Sequence, residues 1–356
     1  VSPSVAQRRL AAQHVARPAL ASPRDAVAWL GAVQAQDLAA ATWALALRTR
    51  GQPRLADVQR AIERGEIVRT WPMRRTLHFV PAEDARWMVR TLAARQLRRS
   101  ASRRRALGLG ESHLDAARRA LARALRGGGR VTRPEAYAIL GRAGVPTSGQ
   151  RGIHLLADLA QEGTLCIGPN EGKQPTFVLL DEWAKRPRDG SLAALAQRYA
   201  ASHGPASLAD FAWWTGLAQR DAREALASAR GIREGREGWQ AIRPRAAREA
   251  SPAAHLLPAF DELAVAYKDR SALLARAGRV TSPQVGLLSP SILLGGQVVG
   301  TWGRTMSRGR VEIELKPLVA WSAAEREAVE REAEAYARFL GLDASVKPSP
   351  PRGKTP

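Results

Sequence analysis

Cysteine is almost absent. Cys166 is the single thiol in 356 residues, so no internal disulfide forms and no cysteine-based metal site can be built. Histidine is sparse as well: the six, at 14, 78, 113, 154, 203 and 255, have no paired ligand spacing, so no metal is expected. No stretch approaches the run of about 18 apolar residues that a membrane helix needs, and no membrane partner is expected. The opening "VSPSVAQRRLAAQHVARP" has no continuous apolar core behind its arginines, so no secretory signal is expected and the cytoplasm is the expected location. "GRAGVPTSGQRG" lacks the Gly-Lys-Ser/Thr ending of a phosphate loop, and no Ser-His-Asp arrangement is visible. Nucleotide hydrolysis and a bound cofactor are therefore not expected.

Acidic residues are also in short supply. There are 33 against 55 basic ones, a formal net charge of +22. A GC-rich genome explains Arg over Lys and the abundance of Ala, but not the excess of positive charge. Solubility needs a net charge of only about 2–8 on a small domain, so the surplus favours a polyanionic partner, most simply nucleic acid. Aromatic residues make up only 5%, yet ten are Trp, which suggests anchored contacts rather than broad aromatic cores.

At this length two to four domains are expected. Residues 4–33 read as two helices broken by Pro18 and Pro23, with Ser22 as N-cap and proline at the first helical position. "AAATWALALRTRG" and "RLADVQRAIERGEIV" follow as helices, and "VRTWPMRRTLHFV" as two strands meeting near Pro72 and Met73. Helices followed by a hairpin describe a winged helix-turn-helix. The same order recurs over residues 131–180 and, more weakly, over 206–242. From about residue 250 short apolar strands separated by Gly, Pro and Ser suggest a small barrel or sandwich, closed by a charged helix. The expected architecture is α+β, with winged-helix units at 1–115, 116–187 and 188–249. A β-barrel with its closing helix fills 250–345, and a disordered tail 346–356.

Three basic constellations stand out. Twelve arginines against only Glu111 and Asp115 lie between Arg95 and Arg133, forming either a phosphate-tracking surface or a solvated linker. "RTWPMRRTLHF" packs Arg69, Arg74, Arg75 and His78 around Trp71 and Met73, a cationic hairpin with an apolar tip that could press on bases; otherwise its Trp is core and its arginines are solvated. "GTWGRTMSRGR" sets Trp302 with Arg304, Arg308 and Arg310 on a second hairpin. "PAFDELAVAYKDR" gathers Asp261, Glu262, Lys268, Asp269 and Arg270; taken alone, such a group reads as a surface ion-pair network.

The segment "GAVQAQDLAAATW" holds Gln34 and Gln36. Residues two apart point opposite ways on a helix and the same way on an extended segment. The pair therefore requires either a bend here or a bystander, and satisfying backbone groups at a helix end is the plain alternative. The pieces "VQAQDLAAATWALALR", "VRTWPMRRTLHFVPAEDA", "LLPAFDELAVAYKDR" and "VVGTWGR", in this order, resemble the AlkZ-like DNA glycosylases over roughly residues 5–340. The resemblance implies tandem winged-helix units in a C-shape closed by a β-barrel. It also implies monomeric, monofunctional removal of bulky or crosslinking N7-alkylguanines from duplex DNA. Some members protect a producer from its own DNA-alkylating antibiotic. The family's Gln–aliphatic–Gln catalytic motif falls on Gln34, Ala35 and Gln36; one branch carries Asp at the third position, where this chain has Gln36. Asp37, Asp261 and Lys268 are candidate supporting residues, Asp37 reading first as an N-cap.

An amide is a poor general base. A guanine alkylated at N7 is already cationic and departs neutral, so no acid is required. What remains is to aim a water at the anomeric carbon and stabilise an oxocarbenium-like sugar. The rival reading is a non-catalytic winged-helix regulator, which predicts sequence-specific binding to intact duplex and no base release.

Overall fold

Proline and serine set the first helix boundaries. Helices span Val5–Ala12 and Pro23–Leu30, the second capped by Ser22, whose hydroxyl accepts the Asp25 N–H, with Pro23 in the first turn. In the computed structural model residues 3–246, 253–277 and 289–348 are described, and contacts divide the chain into two units. One comprises residues 1–59, 192–214 and 218–356; the other comprises 60–191 and 215–217.

The first unit holds an open five-stranded sheet. Its strand order is Asp343–Pro348, Arg310–Pro317, Gln297–Ser307, Ser291–Leu294, Ala254–Leu257. The expected barrel is therefore corrected: among the described residues no barrel closes. The reason is the helix Ala323–Leu340, which carries the chain across so that Asp343–Pro348 returns parallel to Arg310–Pro317. A parallel return needs such a crossover, whereas an up-and-down barrel needs hairpins. Residues 346–348 of the expected tail belong instead to the strand Asp343–Pro348; the rest of that expectation, residues 349–356, lies outside the described residues. Ala328, Val329, Ala333, Tyr336, Ala337 and Phe339 give the crossover helix its buried face. Tyr336 takes Trp43 and Trp302 edge-on, with ring centroids 5.1 and 5.0 Å away. Both indoles also bind one strand, Trp43 Nε1–H donating to Leu256 O (2.7 Å) and Trp302 Nε1–H to Leu257 O (2.8 Å). Helices Leu192–His203 and Leu208–Thr215 also contribute, and a two-stranded hairpin, Ile232–Gly235 with Gly238–Ala241, follows the helix Gln219–Ser228.

In the second unit five antiparallel strands run in the order Thr76–Pro81, Ile67–Met73, Leu165–Glu171, Gln174–Leu179, Val131–Thr132. The Arg95–Arg133 run is not a linker. It forms helices Ala94–Ala106 and Glu111–Leu125, and Leu114, Ala117, Leu121 and Leu125 give the latter a buried stripe. Helices Arg133–Arg142 and Arg151–Gln161 precede the Leu165–Leu179 hairpin, in the expected helix, helix, hairpin order.

Candidate active site

The two glutamines lie on a short non-helical connection between two helices. Gly31 ends the first helix with φ of +85°, a conformation L side chains rarely adopt, and a β-carbon there would meet Arg198 Cδ at 3.3 Å. Val33–Gln34 is extended. Asp37 then caps the helix Leu38–Ala46, its Oδ1 accepting the Ala40 N–H at 3.0 Å. Seven residues, 31–37, thus separate the two helices. Gln34 is buried and Gln36 exposed.

Gln34 is held from far along the chain. Its backbone N–H donates to Glu262 Oε1 at 2.8 Å, and Trp214 Nε1–H donates to Glu262 Oε2 at 2.9 Å. Glu262 is fully buried. His203 Nε2 lies 3.6 Å from Oε2, its Nδ1 is 2.8 Å from Ser202 Oγ, and its ring stacks on Tyr199 at 4.6 Å. Burial lowers the His203 pKa, with Glu262 opposing, so the imidazole is neutral at neutral pH.

Asp261 and Glu262 are not a surface network, as the sequence alone suggests, because the turn that carries them is buried. Asp261 receives two hydrogen bonds from Arg48, and Oδ1 also accepts the Leu263 N–H at 2.9 Å. Arg48 donates further to Ala44 O and Gln13 Oε1, both at 2.7 Å. Gln13 Nε2–H reaches the Tyr267 hydroxyl (3.1 Å), which donates to His203 O (2.7 Å). Phe260 precedes this pair with φ of +60°, unusual for an aromatic residue. Lys268 is exposed, and its backbone N–H donates to Asp210 Oδ1. Trp213 is 42% exposed, with its Nε1–H donating to Val265 O at 3.1 Å.

The expected apolar hairpin tip is corrected. Ile67–Met73 is buried at every position, Trp71 and Met73 included, and Trp71 packs with Leu109, Leu114 and Leu155. Arg69 and His78 are buried too, and His78 Nδ1 sits 2.9 Å from Thr76 O. The turn falls at Arg74–Arg75, later than the sequence suggests. Their φ values of +53° and +58° match a two-residue hairpin turn, which closes without glycine here. Arg75 reaches His154 Nδ1 (3.3 Å) and Asp158 (3.5 Å); Arg74 reaches His78 Nε2 (3.2 Å). On the second hairpin Trp302 is core, Arg304 lies over the Tyr336 ring at 5.5 Å, and Met306, Arg308 and Arg310 are exposed. In the arginine-rich helices Arg104 is buried against Asp158 and Glu111, and Arg118 binds Glu162 and Asp115. Part of that charge is structural.

Sequence reasoning passed over Trp214, His203 and Arg48, and grouped Glu262 with surface charges. Leu195, Ala196, Tyr199, Ala200 and His203 share one buried helical face, a spacing that marks the helix but not its partner. Among the described residues no group of three or more His, Cys, Asp or Glu could hold a metal ion, and no helix is long and apolar enough to cross a membrane. Cys166 is buried, which raises its thiol pKa.

The profile of the family described as DNA glycosylase AlkZ-like matches residues 27–339. An interstrand DNA cross-link repair glycosylase of Streptomyces sahachiroi is 28% identical over 346 residues, 90% of this chain and 91% of the relative. The solved structure of the Streptomyces sahachiroi DNA glycosylase AlkZ is 24% identical and superposes with a TM-score of 0.78, covering 98% of this chain and all of that one. A match across most of the sequence places the chain in the AlkZ-like family, and it is a DNA glycosylase.

Proposed function

We propose that this DNA glycosylase hydrolyses the N-glycosidic bond of N7-alkylguanine and related cationic purines in duplex DNA, with Gln34 and Gln36 as its catalytic pair. The observation that carries the reading is the placement of both amides on one short connection between two helices, extended at Gln34 and bending at Gln36, with the Gln34 backbone tied to Glu262. On this account the exposed Gln36 carbonyl oxygen accepts a hydrogen of the attacking water, and Gln34 steadies that water or the sugar. The C1′–N9 bond breaks with its electron pair passing to the purine, which neutralises the positive ring. The water oxygen bonds to C1′ and its proton leaves to solvent. No group on the protein has to titrate; positioning and electrostatics supply the acceleration.

Unhooking of interstrand crosslinks follows from the same chemistry, since a crosslink through N7 is a cationic adduct on each strand. The cross-link repair glycosylase of Streptomyces sahachiroi supports this extension. Protection against a DNA-alkylating natural product would be its biological use. Arg74, Arg75, Arg308 and Arg310 are the proposed phosphate contacts. The helix, helix, hairpin order at residues 133–179 supports the winged-helix reading. Gln34→Ala and Gln36→Ala are expected to keep fold and DNA affinity while slowing release of N7-methylguanine by about 100-fold or more. Wild-type turnover by both variants would sink the assignment.

A further inference from the structure

We propose that Glu262 is the positioning residue of the catalytic segment: its carboxylate, accepting the Gln34 N–H, fixes where both amide side chains stand relative to the anomeric carbon. The inference deepens the alkylguanine reading above and rests on it. Glu262 touches no substrate atom; it acts through Gln34.

Three observations carry it. First, Glu262 is fully buried and its two oxygens face donors from separate parts of the chain, Gln34 N–H at Oε1 (2.8 Å) and Trp214 Nε1–H at Oε2 (2.9 Å). A carboxylate accepts at both oxygens, whereas an amide offers one acceptor and presents a donor on its other side. Glutamine therefore cannot serve both partners. Second, the position of Glu262 is itself set from outside. Its neighbour Asp261 caps the helix Glu262–Val265 and is clamped by Arg48 through two hydrogen bonds. Arg48 lies just beyond the helix that Asp37 caps at the far end of the glutamine segment. Third, a carboxylate is costly to bury, and the seat is built for this one: the His203 ring lies 3.6 Å from Oε2, itself stacked on Tyr199. Misplacing a catalytic group by about 1 Å costs on the order of 100-fold in rate, so a residue that sets the backbone beneath both amides governs the rate without contacting DNA.

The test is single-turnover release of N7-methylguanine under saturating enzyme. It is read beside affinity for a duplex with a tetrahydrofuran abasic site, thermal melting and amide hydrogen exchange at Gln34. Glu262→Gln is expected to be slower at saturation by about 10- to 100-fold, with affinity within about twofold and faster exchange at Gln34. Adding Trp214→Phe removes the donor that opposes the new amide. Its oxygen can then face Gln34, and the double variant is expected to recover at least about threefold over Glu262→Gln alone. A purely structural role would lower folded fraction or affinity, not the saturating rate. A saturating rate within about twofold of wild type for Glu262→Gln overturns the proposal. If that variant does not fold, Trp214→Phe decides: a fall of about three- to tenfold supports the role and an unchanged rate overturns it. A wild-type protein that leaves N7-methylguanine in place counts against the alkylguanine reading instead. Exchange at Gln34 then still decides for Glu262, and unchanged protection in Glu262→Gln overturns it.

Discussion

Arg48 and Asp261 face each other through two hydrogen bonds, Nη1 to Oδ2 at 2.9 Å and Nη2 to Oδ1 at 2.8 Å, with both side chains closed off from solvent. The pair joins the helix that follows the glutamines to the turn that carries Glu262. A buried pair of this kind is a weak source of net stability, but losing one partner strands the other charge in a dry interior. Asp261→Ala and Arg48→Ala are each expected to cost about 3–5 kcal/mol of unfolding free energy. Urea denaturation checks this, and a change under about 1 kcal/mol would contradict the burial described.

The outer frame of this site is legible in the sequence. Ser22-Pro23 and the Asp37 cap announce helix starts, and the spacing of Gln34 and Gln36 announces a non-helical bend between them. The partners are not legible, because Glu262 meets Gln34 across 228 positions and a charged cluster in "PAFDELAVAYKDR" reads as surface unless its burial is known. The same limit misplaces Trp71, Met73 and Trp302. A tryptophan beside arginines looks like a base-contacting wedge, yet Trp71 and Met73 lie on a strand buried at every position and Trp302 is buried between half-buried neighbours. The sheet that replaces the expected barrel has a similar origin: strand patterns are local, while a parallel return depends on where an 18-residue helix lands.

Acid sensitivity follows from two histidines. Burial and the nearby Arg245 and Arg48 lower the His14 pKa to about 4, and burial lowers that of His203. Both bind a proton more readily in the unfolded chain, near pH 6.5. The contribution of His14 to stability is present above that pH and is lost as pH falls towards 4, and that of His203 is lost in the same direction. Melting temperature is expected to drop between pH 7 and pH 5, and His14→Gln to flatten part of that slope. A melting temperature that rises on acidification would contradict the buried neutral state.

Two classes of arginine are expected to behave differently towards DNA. Arg308 and Arg310 are exposed on the hairpin, whereas Arg104 is buried against Asp158 and Glu111. Log affinity for duplex should fall linearly with log salt, and each of Arg308→Ala and Arg310→Ala should reduce the slope by about 1. Arg104→Ala should lower stability and leave the slope unchanged. Equal effects from all three would mean that exposure does not sort these charges.

The central claim is that the positive charge on the lesion allows a neutral amide pair to direct hydrolysis. Single-turnover release from duplexes carrying N7-methylguanine or its uncharged isostere 7-methyl-7-deazaguanine tests it most directly. The expected result is complete release of the cationic base and none of the neutral one, with equal binding of both duplexes. Comparable release of the two would show that the enzyme supplies the activation itself, and would contradict the account.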